Sequence, residues 1–405
     1  MASVHSCPLG WSWHRVEPVA SASTVAVNSD SWLSVLICAN HWQAQEQFEK
    51  AIDVLLPAAQ AGLMGAAAVR AADDTLLLAE IVLTLVECQI EADEMVQSES
   101  TLARLDALLQ SLASLGPAVL AALLARQALC GARLAFWRAD AAQAMVLARR
   151  ALQILTQTVG VSDAVNHALW VLRAEAILAA NLSIAGQHDE AIRLNQAALA
   201  RLDRPGLRGL GRDGVRLRLN LGNALWAQGD LAQARRHYRL VIEAAQGQIA
   251  TGCAPRAHDL GRALMNLGGV LVSMARFPEA FAAFGQALVV YDSQIRRIRR
   301  RGGAIGRLSA SRACTWMNLG YAHFRAADYG MAARWLGRAR RYYASVQVPA
   351  PVLQDDEART WVNDAQLLLA CQRIALAAKR CQLAVGVFEQ RLANGAEHLR
   401  PDLAN

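Results

Sequence analysis

Apolar residues recur along this chain with the spacing of one helical face. Phe48, Ile52, Leu55 and Leu56, then the stretch from Leu76 to Val86, then Leu102 to Leu112, carry the i, i+3, i+4 pattern that buries one stripe of an amphipathic helix. Gly and Pro fall largely between such stretches, where they end helices and open turns. The pattern predicts a chain that is helical from about residue 31 onward, built of many short helices, with no sheet.

The pattern also repeats. Three segments align without gaps: N-L-G-N-A-L-W-A-Q-G-D-L-A-Q-A from Asn220, N-L-G-G-V-L-V-S-M-A-R-F-P-E-A from Asn266, and N-L-G-Y-A-H-F-R-A-A-D-Y-G-M-A from Asn318. Each ends in an alanine twelve residues after the glycine. The spacing predicts a helix–turn–helix pair in which Gly222, Gly268 and Gly320 sit where a second helix crosses closely. Ala234, Ala280 and Ala332 are their expected counterparts, because large side chains would hold the pair apart. Tyr238, Phe284 and Leu336, four residues after each alanine, fill the layer between the helices. The turns carry Gly229-Asp230, Arg276-Phe277-Pro278 and Asp328-Tyr329.

These residues resemble the tetratricopeptide repeat, whose signature is a bulky residue, Leu-Gly, an aromatic or aliphatic, a turn, Ala, an aromatic and Ala. Weaker copies follow the template at Ala144, Ala191 and Ala377. The marker alanines then fall at 144, 191, 234, 280, 332 and 377, at intervals of 47, 43, 46, 52 and 45 residues. The family's usual period is about 34 residues, so longer helices or links are expected here. The resemblance implies an all-α, α-α superhelical solenoid in which each unit packs on its neighbours. Its long period, near 45, looks like the tetratricopeptide portions of bacterial signalling and regulatory proteins. Residues 31–393 are assigned to the solenoid, with two degenerate units over 31–120 and clearer ones over 121–393. Residues 1–30 are expected to be disordered and 394–405 to form a tail. Leu202–Gly214 and Gly247–Pro255 are expected loops.

Charge is distributed unevenly. Residues 1–200 carry 11 basic and 19 acidic groups, and residues 201–405 carry 30 and 15, so the second half is strongly electropositive. Nearly all of the positive charge is arginine, whose planar fork suits carboxylate and phosphate. Eight cysteines lie without a C-x-x-C pair or zinc-finger spacing, so neither a disulfide framework nor a metal site is expected. There is no signal-peptide pattern and no uncharged apolar run of spanning length. The expectation is a soluble, cytoplasmic protein with no membrane association.

Candidate chemistry lies on the first helix of each pair, which lines the inner groove of such a solenoid. Two residues before each small packing residue stand Asn220, Asn266, Asn318 and Asn363, and four further back stand Arg216, Arg262, Cys314 and Arg359. Residues four and seven apart share a helical face, so an asparagine column and an arginine column are predicted side by side. Asn223, Tyr321 and Arg325 lie on or beside the same groove. The functional reading is an amide ladder that hydrogen-bonds an extended peptide, with arginines meeting its carboxylates; the alternative is that each Asn bonds a neighbouring helix. A second candidate is the segment Ile295–Arg307, where Arg296, Arg297, Arg299, Arg300, Arg301 and Arg307 could form a polyanion patch or a solvated helix extension.

No Walker, Rossmann, zincin or nucleophile-elbow motif is present, and His188, His237, His258 and His323 read as isolated turn or surface residues. Asp73-Asp74 and Asp355-Asp356 read as helix caps. No catalytic residue and no cofactor is expected. The favoured function is a non-catalytic interaction module holding an extended, acidic segment of a protein or peptide partner. The alternative is the sensory arm of a bacterial signalling or transcription-control system whose output domain lies elsewhere. Direct nucleic-acid binding is disfavoured, because no aromatics interleave with the arginines.

Overall fold

In the computed structural model, the described residues are 29–44, 47–64, 72–92, 94–112, 117–138, 140–157, 164–202, 211–250, 257–300, 305–346 and 351–397. They form sixteen α-helices and, among the described residues, no strand. The helices are α1 (Ser29–Ala44), α2 (Phe48–Met64), α3 (Ala72–Glu91), α4 (Met95–Ser111), α5 (Pro117–Trp137), α6 (Ala141–Gln157), α7 (Ala164–Ile184) and α8 (His188–Leu202). There follow α9 (Gly211–Gln228), α10 (Leu231–Ala250), α11 (Ala257–Ser273), α12 (Phe277–Arg299), α13 (Gly306–Arg325), α14 (Tyr329–Ser345), α15 (Pro351–Ala370) and α16 (Ile374–Glu397). The fold is a helical-repeat solenoid, as the spacing predicts. The expected N-terminal disorder falls outside the described residues except for the first turn of α1, and α16 extends to Glu397.

Two expected loops are shorter than the sequence reading places them. Gly211–Gly214 already belongs to α9, since a first turn makes small demands on propensity and Asp213 favours the helix N-terminus there. At the other end α10 runs on through Gly247 to Ala250. One glycine costs a helix only about 1 kcal/mol, and Gln248, Ile249 and Ala250 continue it.

The chain gathers into two compact units: residues 1–135, 142–178 and 203–210 form the first, and 136–141, 179–202 and 211–405 the second. In the first, α3 is buried nearly all round, from Leu76 through Ile90, as befits a helix covered on several sides. Its two inward acids, Glu80 and Glu87, lie seven residues apart on one face. The Arg126 fork from α5 bridges them, with Nη1 donating to Glu80 at 2.6 Å and Nε to Glu87 at 2.9 Å. The Trp170 ring of α7 covers the guanidinium carbon at 4.9 Å. Burial opposes the charge on Arg126, yet the two carboxylates hold its pKa above the ordinary guanidinium range.

In the second unit the hairpin turns share one conformation. Gly186, Gly229, Ala275, Ala327 and Gln372 all have positive φ, between 57° and 94°. The next N–H reaches back five residues in each turn, as from Asp230 to Leu225 O at 2.9 Å and from Asp328 to His323 O at 2.9 Å. This double-bonded C-terminal motif uses the helix's last free carbonyls, and reverses the chain in the same direction each time. The side chain of Asp328 then caps the next helix by accepting from Met331 N at 3.2 Å.

The signature glycines do pack against the second helix, but against a different residue from the one expected. A Cβ placed on Gly222, Gly268 or Gly320 would lie 2.7 to 2.8 Å from Tyr238, Phe284 or Leu336. The nearest atoms belong to the residue four after the marker alanine, not to the alanine. Side chains on a helix lean toward its N-terminus, so the large residue comes back over the glycine while Ala234, Ala280 and Ala332 are fully buried elsewhere in the layer. Replacing Gly268 by Leu should therefore displace the Phe284 ring and cost about 1 to 3 kcal/mol in urea unfolding. An unchanged midpoint would show that the close approach is not what fixes this pair.

Candidate functional site

The helices α9, α11, α13 and α15 neighbour one another in order within the second unit. Their faces turned away from the glycine layer carry the predicted columns. Asn220, Asn266, Asn318 and Asn363 are half-buried, as are Arg216 and Arg262, whereas Arg359 is exposed.

The asparagines are not all equally engaged. Asn266 donates to Asn223 Oδ1 at 2.8 Å, and the Tyr238 hydroxyl donates to the same oxygen at 2.7 Å, so α9, α10 and α11 meet at Asn223. Asn318 donates only a long 3.8 Å bond to Cys314 Sγ. One asparagine is thus tied into the fold while another, one helix further on, holds its amide nearly unspent. Tyr321 and Arg325 pair on α13, Nη1 donating to the hydroxyl at 3.1 Å, and Tyr321 also packs on the core around Phe284. Trp226 packs against Gly269 and donates to Ser273 Oγ at 3.2 Å, a structural role.

A third column was missed in reading the sequence. Three residues before each arginine stand Asp213, Asp259, Ser311 and Asp356, so that α9, α11 and α15 carry Asp-x-x-Arg-x-x-x-Asn in one register. The signal was present in the same intervals that revealed the arginines. Its consequence is that the arginines bring their own acids. Arg359 Nη2 donates to Asp356 Oδ1 at 2.6 Å. Asp259 lies in the field of both Arg216 and Arg262: burial alone would raise its pKa, but the neighbouring His258 and the two guanidiniums bring it down to about 2. Asp356 goes the other way, burial pushing its carboxyl above the ordinary range despite Arg359. It is no helix cap, because α15 starts at Pro351, a residue suited to a first turn.

His258 is not isolated either. It lies 3.9 Å from Asp259 and 3.5 Å from Ser311 Oγ, and burial lowers its pKa, with Arg307 and Arg262 adding to the effect. The three groups stand in the order of a nucleophile, base and acid. Both gaps exceed the roughly 2.6 to 3.2 Å of a working relay, and Ser311 sits within helix α13, where backbone N–H groups are taken up by the helix. His323 stacks on Phe281 at 4.2 Å and pairs with Asp328 at 3.1 Å.

Of the arginine segment, Arg296, Arg297, Arg299 and Arg300 are exposed at the C-terminal end of α12, where cations complement the helix dipole. Arg307 is half-buried in the first turn of α13, and Arg301 lies outside the described residues. The described cysteines, Cys314 among them, are free thiols, and burial pushes the Cys314 pKa well above the usual range. Among the described residues no helix is long and apolar enough to cross a membrane.

Hairpins with a glycine-to-aromatic layer, stacked in this way, define a tetratricopeptide-like helical-repeat protein. A family model described as tetratricopeptide repeat matches residues 216–246, which is the α9–α10 hairpin without its first and last turns. Solved structures with the same fold include the apo form of the quorum sensor NprR from B. thuringiensis, at 13% identity and a TM-score of 0.60 over 88% of this chain and 87% of that one. NprR in complex with its cognate peptide NprX gives 13%, 0.56, 88% and 86% in the same order. A Rap protein complexed with competence and sporulation factor gives 14%, 0.58, 89% and 99%. A search among curated proteins finds no sequence match.

The shift on Asp259 makes a stability prediction. A carboxyl held at about 2 in the fold, against 3.8 for the free group, stabilises the protein above pH 3.8 and loses that contribution as pH falls toward 2. Asp259→Asn should lower stability at neutral pH by an amount on the order of 2 kcal/mol. It should also flatten the acid limb of a melting-temperature profile taken between about pH 5 and pH 2. A variant whose profile overlays the parent would remove Asp259 from the network.

Proposed function

We propose that this chain is a non-catalytic, peptide-responsive regulatory module that holds an extended segment of a protein or peptide along the first-helix face of its second unit. The observation that carries this reading is the register Asp-x-x-Arg-x-x-x-Asn repeated on successive first helices, with the Asn318 amide nearly unspent. An extended backbone offers a carbonyl and an N–H at each residue, and a row of carboxamides can both donate and accept. The structure of NprR with its cognate peptide supports the reading, since a fold of this kind accommodates a peptide. The sensory role attributed to NprR as a quorum sensor favours a regulatory output over a static scaffold.

The acidic character assigned to the partner is best supplied outside the row, because the arginines within it already face Asp259 and Asp356. Exposed Arg296, Arg297, Arg299 and Arg300 at the end of α12 are left to draw acidic residues flanking the bound segment. Changing Arg299 and Arg300 to Gln should leave the melting temperature within a degree or so, and should reduce the salt dependence of binding to an acidic peptide. If binding proves insensitive to salt in the parent protein, these arginines have no such part.

The amide row itself is tested by replacing Asn266 and Asn318 with Ala. Asn223 keeps the Tyr238 hydroxyl as a partner, so the stability change should be small. Each lost bond to a ligand should cost about 0.5 to 1.5 kcal/mol, and the pair should weaken peptide binding roughly fivefold to a hundredfold. Fluorescence anisotropy with labelled synthetic peptide pools measures this directly. Loss of stability with binding intact would make the row structural and move the site to another surface.

A further inference from the structure

The three-column register is broken at one place. On α13 Ser311 and Cys314 occupy the positions of the acid and the base, while Asn318 is kept. A carboxylate and a long guanidinium side chain are thereby replaced by two short neutral ones in the middle of the row.

Two buried hydroxyls come up to this point from the second helices. Tyr291 of α12 is 0% exposed and Tyr343 of α14 is 3% exposed, and neither Oη completes a hydrogen bond. Tyr291 Oη lies beside Ser311 without reaching bonding geometry, and both hydroxyls lie within the electrostatic reach of the Cys314 thiol. They rise this far because the facing first-helix residues are small. A Cβ on Gly261 would stand 2.5 Å from the Tyr291 ring, and Ala313 packs in one cluster with Tyr343. The comparison within the molecule is Tyr238, whose hydroxyl finds Asn223 at 2.7 Å. A buried hydroxyl without a partner destabilises the fold that holds it. Two of them beside one break in a repeated pattern mark a place where the partner comes from outside.

Building on the peptide-binding reading, we infer that the inner face of α13 is a specificity subsite for one uncharged hydrogen-bonding side chain of the ligand, an amide or a hydroxyl, met by Tyr291, Tyr343, Ser311 and Asn318. The neighbouring charges are paired with one another: Arg262 lies with Asp259, Arg359 donates to Asp356, and the Cys314 thiol lies against the same Asp356 carboxyl. A lysine or glutamate entering here would surrender hydration in exchange for counter-ions that already have partners, which is costly. An aliphatic side chain would leave both hydroxyls as they are. A site built to hydrogen-bond discriminates strongly against a group that cannot.

The test uses the full chain and fluorescent synthetic hexapeptide pools in which one position is fixed as Asn, Gln, Ser or Thr, as Asp or Glu, as Lys or Arg, or as Leu or Val. At one position the neutral polar pool should bind about tenfold or more tightly than the charged and aliphatic ones. The double variant Ser311→Asp, Cys314→Arg restores the register of the other three helices, so it should fold normally and lose that preference. Tyr291→Phe and Tyr343→Phe should hold or raise the melting temperature of the ligand-free protein and weaken the same preference. A fall in melting temperature in both tyrosine variants would show that the hydroxyls have partners within the fold and overturns the subsite. So does an undiminished preference in the Ser311→Asp, Cys314→Arg protein while the Asn266→Ala, Asn318→Ala protein loses binding, a result that leaves the peptide reading standing. If no pool binds the parent protein, or the asparagine variant binds every pool as the parent does, both readings fall together.

Discussion

The close approach of two helices at a glycine is the constraint from which the rest of the second unit follows. Once Tyr238, Phe284 and Leu336 lie over Gly222, Gly268 and Gly320, the rotation of each first helix about its own axis is fixed. Every other residue on that helix then has a determined direction. Residues two, six and nine before the glycine turn to the opposite face and align from one hairpin to the next. The columns of asparagine, arginine and aspartate are consequences of core packing, and they stay in line only because the turn between helices is also the same each time, with its left-handed residue and its five-residue hydrogen bond.

A second layer, two turns toward the start of each first helix, obeys the same rule of complementary volume. Gly261 faces Tyr291, and Ala313 shares a cluster with Tyr343. On α9 and α10 the corresponding positions are Val215 and Ala245. Large against small is conserved as a sum rather than as a residue, as expected where interiors are packed to a fixed density. What differs is the chemistry delivered to the first-helix face. Tyrosine brings a buried hydroxyl through the layer toward the first-helix face and alanine brings none, so packing decides where buried polar groups lie.

The helical class, the hairpin turns and the two main columns were legible in the sequence because each depends on residues close together in the chain. Gly268 and Phe284 belong to one hairpin, and the Asn266 and Arg262 columns repeat a short local pattern. What escaped was what depends on neighbours far apart in sequence. The engagement of Asn266 by Asn223 crosses 43 residues and that of Ser311 by His258 crosses 53. The acids were visible, yet Asp356 read as a cap because the start of α15 at Pro351 was not apparent from its polar run. Helix ends are set by competition among weak local preferences, and the same weakness let α10 continue to Ala250 through a glycine.

Charge shows why composition misleads at the level of a site. The second half of the chain has twice as many basic as acidic groups, 30 against 15, which suggests an electropositive groove. Within the row the arginines face Asp259 and Asp356, and the half-buried setting of Arg216, Arg262 and Asp259 strengthens those local interactions relative to those with distant charge. The surplus is displaced to exposed ends such as the last turn of α12, where water and salt screen it. Exposed and half-buried arginines therefore differ in reach: the first act through screened solvent, the second on the acids beside them. On α13 the register carries neither charge, and under the proposed reading the selectivity of that point rests on hydrogen bonds that the Tyr291 and Tyr343 hydroxyls do not complete within the fold.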